Sequence, residues 1–571
     1  MRMAYVETFD RSQMMMCSWD VLVERESVAR LIDAFVDSLN LSDYGVKEMS
    51  VEGRPAYDPA GLFKLYIYGY RKSIRSSRKL AESCKTNIEV KWMVGGVEPD
   101  FRTISDFRKI NIKVLKKLFH EFNRRISKEV TWGFSAIDGS KIQANNSKDN
   151  NFTKNKIDDR IKWLNAHSDE YLRILNDMDE QEEIDYNGDT LTKEDIEEKL
   201  NTIKERLERY LSYQKLMEEG GLTQLSITDA DAKLMKNKNG FTVSFNPQTA
   251  VDSNTHIIRD FQMTNQVTDH GLMESTLDEI KKENPDEIIE AVADKGYNKE
   301  EDMINCLEKG IIPHVITDDG VDGYNLEVPY EEADADISST KPEELKKALH
   351  SGKIPEAYKD VITSIEVREV RRKEVEKTDS QNDKAKSIYG SEEEMIAKAK
   401  EGYFVRDPEA NVVYCPMGEM LRQKSIKSNG SIRYSNKNAC RHCKFRNKCY
   451  NGKNGWKEID FTKDTLEKPC KGFLTDSEKT VSPRNIKKGK FKKVKIVRFF
   501  LKPNRKMTEQ RMCLSEHPFG TIKRAMGSDH FLLRGLQKVE GEFALSCLGY
   551  NIERAKNLIG FEKMMKVMVR A

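Results

Sequence analysis

The chain has 571 residues, 38% of them hydrophobic and 33% charged, a length for about three or four domains and the composition of a soluble globular protein with a net charge of only +2. No apolar run approaches the ~18–20 residues of a membrane span, and the opening MRMAYVETFDRSQ lacks the apolar centre of a secretory signal. Ten cysteines are too sparse for a disulfide framework, so a reducing, cytoplasmic setting is expected.

Residues 1–128 read as an all-helical domain. Asp58-Pro59 opens the apolar-periodic AGLFKLYIYGY, with Asp as N-cap and Pro in the first turn. RKSIRSSRKLAESCK, NIEVKWMVGG and SDFRKINIKVLKKLFHEF follow as further helices. The cluster Arg71, Lys72, Arg75, Arg78 and Lys79 suits a helix-turn-helix-like DNA binder, against the plainer reading of a solvated basic face.

The pattern changes at WGFSAIDGSKI (132–142), a short strand ending in Asp138-Gly139. From about 155 to 218, Ile196, Leu200, Ile203, Leu207 and Tyr210 recur at alternating spacings of four and three, a heptad seam. Ile161, Leu164, Leu172 and Leu175 supply the facing arm and YNGD (186–189) the turn, which predicts an antiparallel helical hairpin inserted after the strand. Strands resume at GFTVSFNPQTAVD and THIIRDFQMT, joined by a turn at Asp252–Asn254. Helix LMESTLDEIKKEN, strand DEIIEAVADKGY, helix EEDMINCLEKG and strand IIPHVIT complete residues 129–317. A strand meander followed by helix crossovers outlines an α/β fold, a ribonuclease H-like mixed sheet flanked by helices.

Regular patterning breaks over 318–505, which reads as an insertion. Its stretch 321–340 holds six acids and no base, and it ends in the basic run IKKGKFKKVKIVRFFLKPNRK. From Cys415 to His530 there are 29 Lys and Arg against 10 Asp and Glu, a basic field that points to a polyanion, most simply nucleic acid. Helical pattern returns at about 508, so residues 506–571 are expected to complete the α/β layer with C-terminal helices.

Asp138 and Asp294 both end expected strands, where a lone aspartate is usually a turn former. If the two strands neighbour one another, the carboxylates meet, and close carboxylates repel unless protonated or bridged by cations. Mg²⁺ prefers oxygen ligands, and two such ions clamp the attacking and leaving oxygens of a phosphoryl displacement. Glu516 offers a third acid, seven residues before Lys523 and so about two helical turns away, although alone it would read as a surface acid. Pro518 leaves two helix starts open: near Ser515, or near Thr508 with a kink at the proline.

Cys440-x2-Cys443-x5-Cys449, with Cys415 upstream, offers four thiolates for a tetrahedral structural zinc site; buried free thiols are the plain alternative. His442 and Cys470 are spare ligands, and Lys444, Arg446 and Lys448 are placed to rest on a DNA backbone.

The succession AIDGSKI, ADKGYN and SEHPFGTIKRAMG resembles that of DDE transposases from bacterial insertion sequences, in the group with a helical N-terminal domain and a cysteine-containing insertion. YDPAGLFKLYIYGY, TDADAKLMKNKNGFTVSFNPQTAVD and HFLLRGLQKVEGEFALSCLGYNIER agree, so the resemblance spans most of the chain. It implies a ribonuclease H-like fold in which Asp138, Asp294 and Glu516 hold two Mg²⁺ ions, with Mn²⁺ able to substitute. It further implies hydrolysis at each transposon end and attack of the freed 3′-OH on target DNA, with Lys523 on a DNA phosphate and a homodimer or larger assembly on double-stranded DNA. One departure is visible: relatives carry Tyr-x2-Arg-x3-Glu-x6-Lys, whereas this chain has Glu509 and Met512 at the first two places and Arg511 one position off. That leaves any hairpin-forming step that depends on the full motif without support. Two other readings stay open, an inactive or domesticated DNA-binding derivative and a metal nuclease without strand transfer.

Overall fold

The computed structural model describes residues 14, 16–46, 56–177, 183–186, 189–237, 240–318, 321–373, 392–408, 410–427, 431–450, 456–462, 465–469 and 491–569. They form two compact units, residues 1–369 with 495–571 and residues 370–494.

In the first unit the N-terminal segment is helical. Asp58 caps the Pro59–Arg71 helix by accepting from the Ala60 N–H at 3.0 Å, with Pro59 in the first turn, where its missing N–H costs nothing. Residues Leu62–Tyr70 of that helix are all buried, which makes it a central rather than an amphipathic surface helix. It packs on the Leu536–Ile559 helix, and the same apolar core continues into Phe261, Phe543 and Phe519. The N-terminal helices therefore share a core with one face of the sheet.

The sheet has strands β1 (Ser135–Gly139), β2 (Ile142–Gln143), β3 (Lys233–Asn237), β4 (Gly240–Asp252), β5 (Ile258–Thr264), β6 (Ile289–Ala293) and β7 (Ile311–Val315). Its main path runs β5-β4-β1-β6-β7, with β2 and β3 pairing the first half of the long strand β4. β1, β6 and β7 are parallel, whereas β4 is antiparallel to both β1 and β5. The meander is thus antiparallel and the helix crossovers parallel, as connection length demands. This is the ribonuclease H-like layer expected from the order of elements. A second core covers the other face, built from Ile137, Ala291, Leu307, Leu326, Leu345 and Phe499.

The inserted hairpin consists of helices Lys154–Asp177 and Lys193–Glu219, the second opened by a Thr192–Asp195 capping box. Ile196 and Leu200 pack with Tyr171, Ile174 and Leu175, and Ile157 and Ile161 with Tyr210 and Met217. Leu172, read as a seam residue, is 45% exposed instead: Tyr171 and Ile174, on either side, take the inward positions. The central pair of the YNGD turn lies outside the described residues.

The Arg505–Gly520 helix starts earlier than either predicted start, because Asn504 caps it by accepting from the Lys506 N–H. The Asn504 N–H donates to buried His314 of β7 at 3.1 Å, which fixes the helix to the sheet. Pro518 sits inside it, and the chain continues into a π-helical turn at Thr521–Ala525, the wider winding that a lost backbone donor invites.

The second unit carries an antiparallel sheet in the order 458–461, 432–435, 420–426, 412–414, 403–407 and 467–469. These strands are absent from the sequence reading, because segments such as VVY and IRYS are too short to display alternation. The basic run likewise contains a strand, Phe491–Leu501, whose Ile496, Val497, Phe499 and Leu501 are buried against Tyr324–Pro329. Part of the expected DNA-gripping surface is therefore core.

Candidate active site

Parallel pairing of β1 with β6 sets Ser135 opposite Ala291 and Ala136 opposite Val292. The same offset brings Asp138, near the end of β1, level with Asp294, the residue after β6. Asp294 also acts as the turn former that its sequence suggests, accepting from the Gly296 N–H at 2.8 Å to start the Lys295–Tyr297 turn. Asp138 accepts from the Gly139 N–H at 3.0 Å.

Burial pushes the Asp138 carboxyl up to about 6; the Arg511 guanidinium opposes this, the Asp294 charge adds to it, and the Gly139 N–H and Ser515 hydroxyl oppose it. The carboxylate pair is thus one that a cation would relieve. In this structure the neighbouring cation is Arg511, whose Nη1 lies 3.5 Å from Asp138 Oδ1 and whose Nε is buried without a partner. Arg511 and Ser515 are one helical turn apart, on the face of the Arg505–Gly520 helix that meets β1, β4 and β6.

Lys523 reaches the segment that follows Asp138: its Nζ donates to Ser140 Oγ at 2.6 Å and to the Lys141 carbonyl at 3.0 Å. Glu516 does not join the pair; it is exposed, one residue beyond Ser515. Among the described residues, no group of three or more His, Cys, Asp or Glu side chains is arranged to hold a metal ion. The structure therefore sets Asp138 level with Asp294 and ties Lys523 to the segment after Asp138, while Glu516 is exposed.

Two of the expected DNA contacts are spent inside the fold. Arg75 is 7% exposed, donates to the His530 carbonyl at 2.7 Å and lies 3.6 Å from buried Glu542. Arg71 is paired with Glu553 at 3.0 Å. Both acids belong to the Leu536–Ile559 helix, so these arginines fasten the helical segment to it. Lys72, Arg78 and Lys79 stay exposed, with Lys72 over the Tyr68 ring and Arg78 over the Phe101 ring.

In the second unit Cys415, Cys440, Cys443 and Cys449 form no disulfide and line one cavity of about 40 Å³. Burial pushes the Cys415 and Cys440 thiols up, and each is raised further by neighbouring cysteines of the set, so the four sulfurs share one microenvironment. His442 is exposed and turns back to the Asn438 carbonyl, so it is no ligand of this cavity; Cys470 lies outside the described residues. Lys444 is exposed, and Arg446 is exposed while also lining the cavity; the Lys448 side chain is outside the described set. Elsewhere in this unit some basic charge is internally paired, with Arg433 on Asp460 and Glu458 and Lys427 on Asp460.

Three family models match the chain. Residues 18–110 match a transposase domain (DUF772), and residues 222–413 and 414–555 each match a Transposase DDE domain. The chain belongs to the DDE transposases of insertion-sequence type. No curated protein and no solved structure matches it. The transposase's Asp294 and Glu516 fall inside the matched ranges, whereas Asp138 falls between them, so its place in the site rests on the β1–β6 register. DDE domains generally use divalent metals such as Mg²⁺, and the family implies DNA as substrate. No described helix is long and apolar enough to cross a membrane.

Sequence reasoning missed Ser515, Asp269 and Gln248 around this site. Asp269 alone left a signal, as an acid in the TDHG stretch after a strand, where it looks like any turn residue.

Proposed function

We propose that this transposase cuts DNA at the ends of its insertion sequence and joins the freed 3′-OH ends to target DNA, with Asp138, Asp294 and Glu516 as the metal-binding acids. The observation that carries this reading is the level pair Asp138 and Asp294, with Lys523 anchored two and three residues past Asp138. Two Mg²⁺ ions bound there would activate the attacking oxygen and stabilise the leaving oxygen. In the first step water attacks the end phosphodiester, the 3′ oxygen leaves and takes up a proton, and a 5′-phosphate remains. In the second the 3′-OH oxygen attacks a target phosphodiester and displaces that strand's own 3′ oxygen, so the number of phosphodiester bonds is conserved and no ATP is needed. Lys523 serves as a point charge beside the reacting phosphate. Joining two ends calls for two or more copies on DNA.

A structural Zn²⁺ on Cys415, Cys440, Cys443 and Cys449 remains part of this reading on the chemistry of the thiols that line one cavity, although their sulfurs are not arranged as a metal-binding group.

The test is strand cleavage of DNA flanking the transposase's own gene, in Mg²⁺, with Asp294→Ala and a chelator as controls. Cleavage at defined ends, absent from both controls, is the expected result. The exposed position of Glu516 and the Arg511–Asp138 contact favour one alternative, a DNA-binding derivative without catalysis. Binding without cleavage by the wild type would establish it, and cleavage by Asp294→Ala would discard the assigned site.

A further inference from the structure

Asp269 belongs to no assigned site, yet it sits between the two halves of the active centre. It lies in the loop between β5 and the Met273–Thr276 helix. A methyl group added to Gly139, the residue after Asp138, would stand 2.8 Å from Asp269 Oδ1. One added to Gly296, two residues after Asp294, would approach the Asp269 side chain at 3.9 Å and Asp294 Oδ1 at 2.8 Å. At Gly139 such a group would collide first with the Gln248 side chain, so Gln248 and Asp269 together fill the room beside the glycine.

The bonding is lopsided. Asp269 Oδ1 accepts from Asn246 Nδ2 at 2.7 Å, from Gln248 Nε2 at 2.9 Å and from Lys141 Nζ at 2.9 Å. Two of these links lead to the catalytic arms. Gln248 is paired with Gly139 across β1 and β4, and its Oε1 accepts the hydroxyl of buried Tyr297, in the turn that Asp294 starts. Lys141 carries the carbonyl that receives Lys523. Asp269 thus holds, through Lys141, the segment on which Lys523 rests, and through Gln248 and Tyr297 the turn of Asp294.

We infer that Asp269 is a positioning residue of the transposase, whose carboxylate fixes the Ser140–Lys141 segment and thereby the Lys523 ammonium relative to Asp138 and Asp294. The inference rests on the DNA-cutting reading for its purpose but not for its geometry. The Lys141–Asp269 pair is mostly shielded, with side chains 14% and 27% exposed. Losing the acid's charge strands the ammonium and favours its withdrawal to water, taking the Lys141 carbonyl away from Lys523. Asparagine is isosteric and can still receive Asn246 or Gln248, so Asp269→Asn removes charge with little change in volume.

The test uses the full-length chain without DNA or metal. A brief pulse of an amine-acetylating reagent, read by peptide mass spectrometry, reports the accessibility of Lys141 and Lys523 separately. Asp269→Asn is expected to raise labelling of both by about tenfold, a local opening, with Lys346 and Lys563 unchanged as remote controls. Lys141→Met breaks the same link from its other end, so Lys523 labelling should rise there too even if the asparagine variant folds poorly. Asp269→Glu, which keeps the charge, should return labelling toward wild type. Cleavage of the flanking DNA then gives the functional arm: Asp269→Asn should lower kcat by about 10–100-fold, the range for a lost supporting partner, with KM for DNA little changed. Lys523 labelled as in wild type in both the Asn and Met variants would overturn the positioning role. Should the labelling change appear while wild type itself fails to cut DNA, the link stands and the DNA-cutting reading falls.

Discussion

The Asp138–Asp294 cleft and the four-cysteine cavity are two ways of bringing distant polar groups together, and they differ in what holds them. The cleft is set by a sheet with a thick core on each face, and the register between β1 and β6 does the aligning. The thiols come from turns and two short helices beside a small core that includes, among the described residues, Phe404, Val413, Leu421, Tyr434 and Phe461. The lesson is about support: a deep core on both faces lets strand register fix where two acids meet, with Arg511 beside one of them, whereas a shallow core gives its thiols less packing to hold their places.

The first way to break this comparison is to remove one acid. Asp294→Ala should lower cleavage of the flanking DNA by about 10³-fold or more, the scale of several kcal/mol of lost charge stabilisation. Melting should show only a modest loss of stability, about 1 kcal/mol, because the bond to the Gly296 N–H is lost while a charge that repels Asp138 is removed; a large fall in melting temperature would mean that the acid is chiefly structural.

The second removes a thiol. Cys443→Ser, or treatment with a zinc chelator, should cost the Phe404–Phe461 sheet its amide hydrogen-exchange protection while that of β1 and β6 persists. Equal loss in both, or in neither, would erase the contrast.

A third concerns a charge buried in the deep core and remote from the cleft. Burial pushes the Asp260 carboxyl up to about 8 despite Lys116 nearby, and burial holds His120, 3.9 Å away, down at about 4. Because the folded value of Asp260 lies above its unfolded one, the folded chain binds the extra proton. The stability it contributes is complete below about pH 4 and is lost as pH rises through about 8. Asp260→Asn should therefore gain stability on the wild type from pH 4 to pH 8, by up to about 5 kcal/mol. Parallel denaturation curves at the two pH values check it; an unchanged difference would mean that Asp260 is ionised throughout.

The smallest effect separates the hairpin's two kinds of leucine-like position. Ile196→Ala should cost about 2 kcal/mol of hairpin stability, and Leu172→Ala no more than about 0.5 kcal/mol. Equal costs would place Leu172 back in the seam.

Much of this architecture was legible because the signals are local. Asp58-Pro59, the hairpin heptads and the strands ending in Asp138 and Asp294 announce themselves within a dozen residues. Arg75 was misleading because its partner Glu542 lies on a helix near the other end of the chain, and nothing beside Arg75 marks it as buried. Arg511 looked displaced by one place from a motif, yet its position puts the guanidinium on Asp138. The lysine-rich run hid a strand because its alternate residues are apolar, and net charge does not report alternation. Asp269 looked like an ordinary turn acid for the same reason that Arg75 misled: its meaning comes from Lys141 and Gln248, more than twenty residues away on either count.

The central claim, that Asp138, Asp294 and Glu516 bind the metal ions, is tested most directly by replacing each in turn with cysteine and assaying cleavage of the flanking DNA in Mg²⁺ and in Mn²⁺. A thiolate is a poor ligand for Mg²⁺ and a better one for Mn²⁺. The account predicts three variants that are inactive in Mg²⁺ and recover in Mn²⁺. Rescue at both aspartates but not at Glu516 would remove the exposed glutamate from the site, and activity of the Asp138 or Asp294 variant in Mg²⁺ would contradict the account outright.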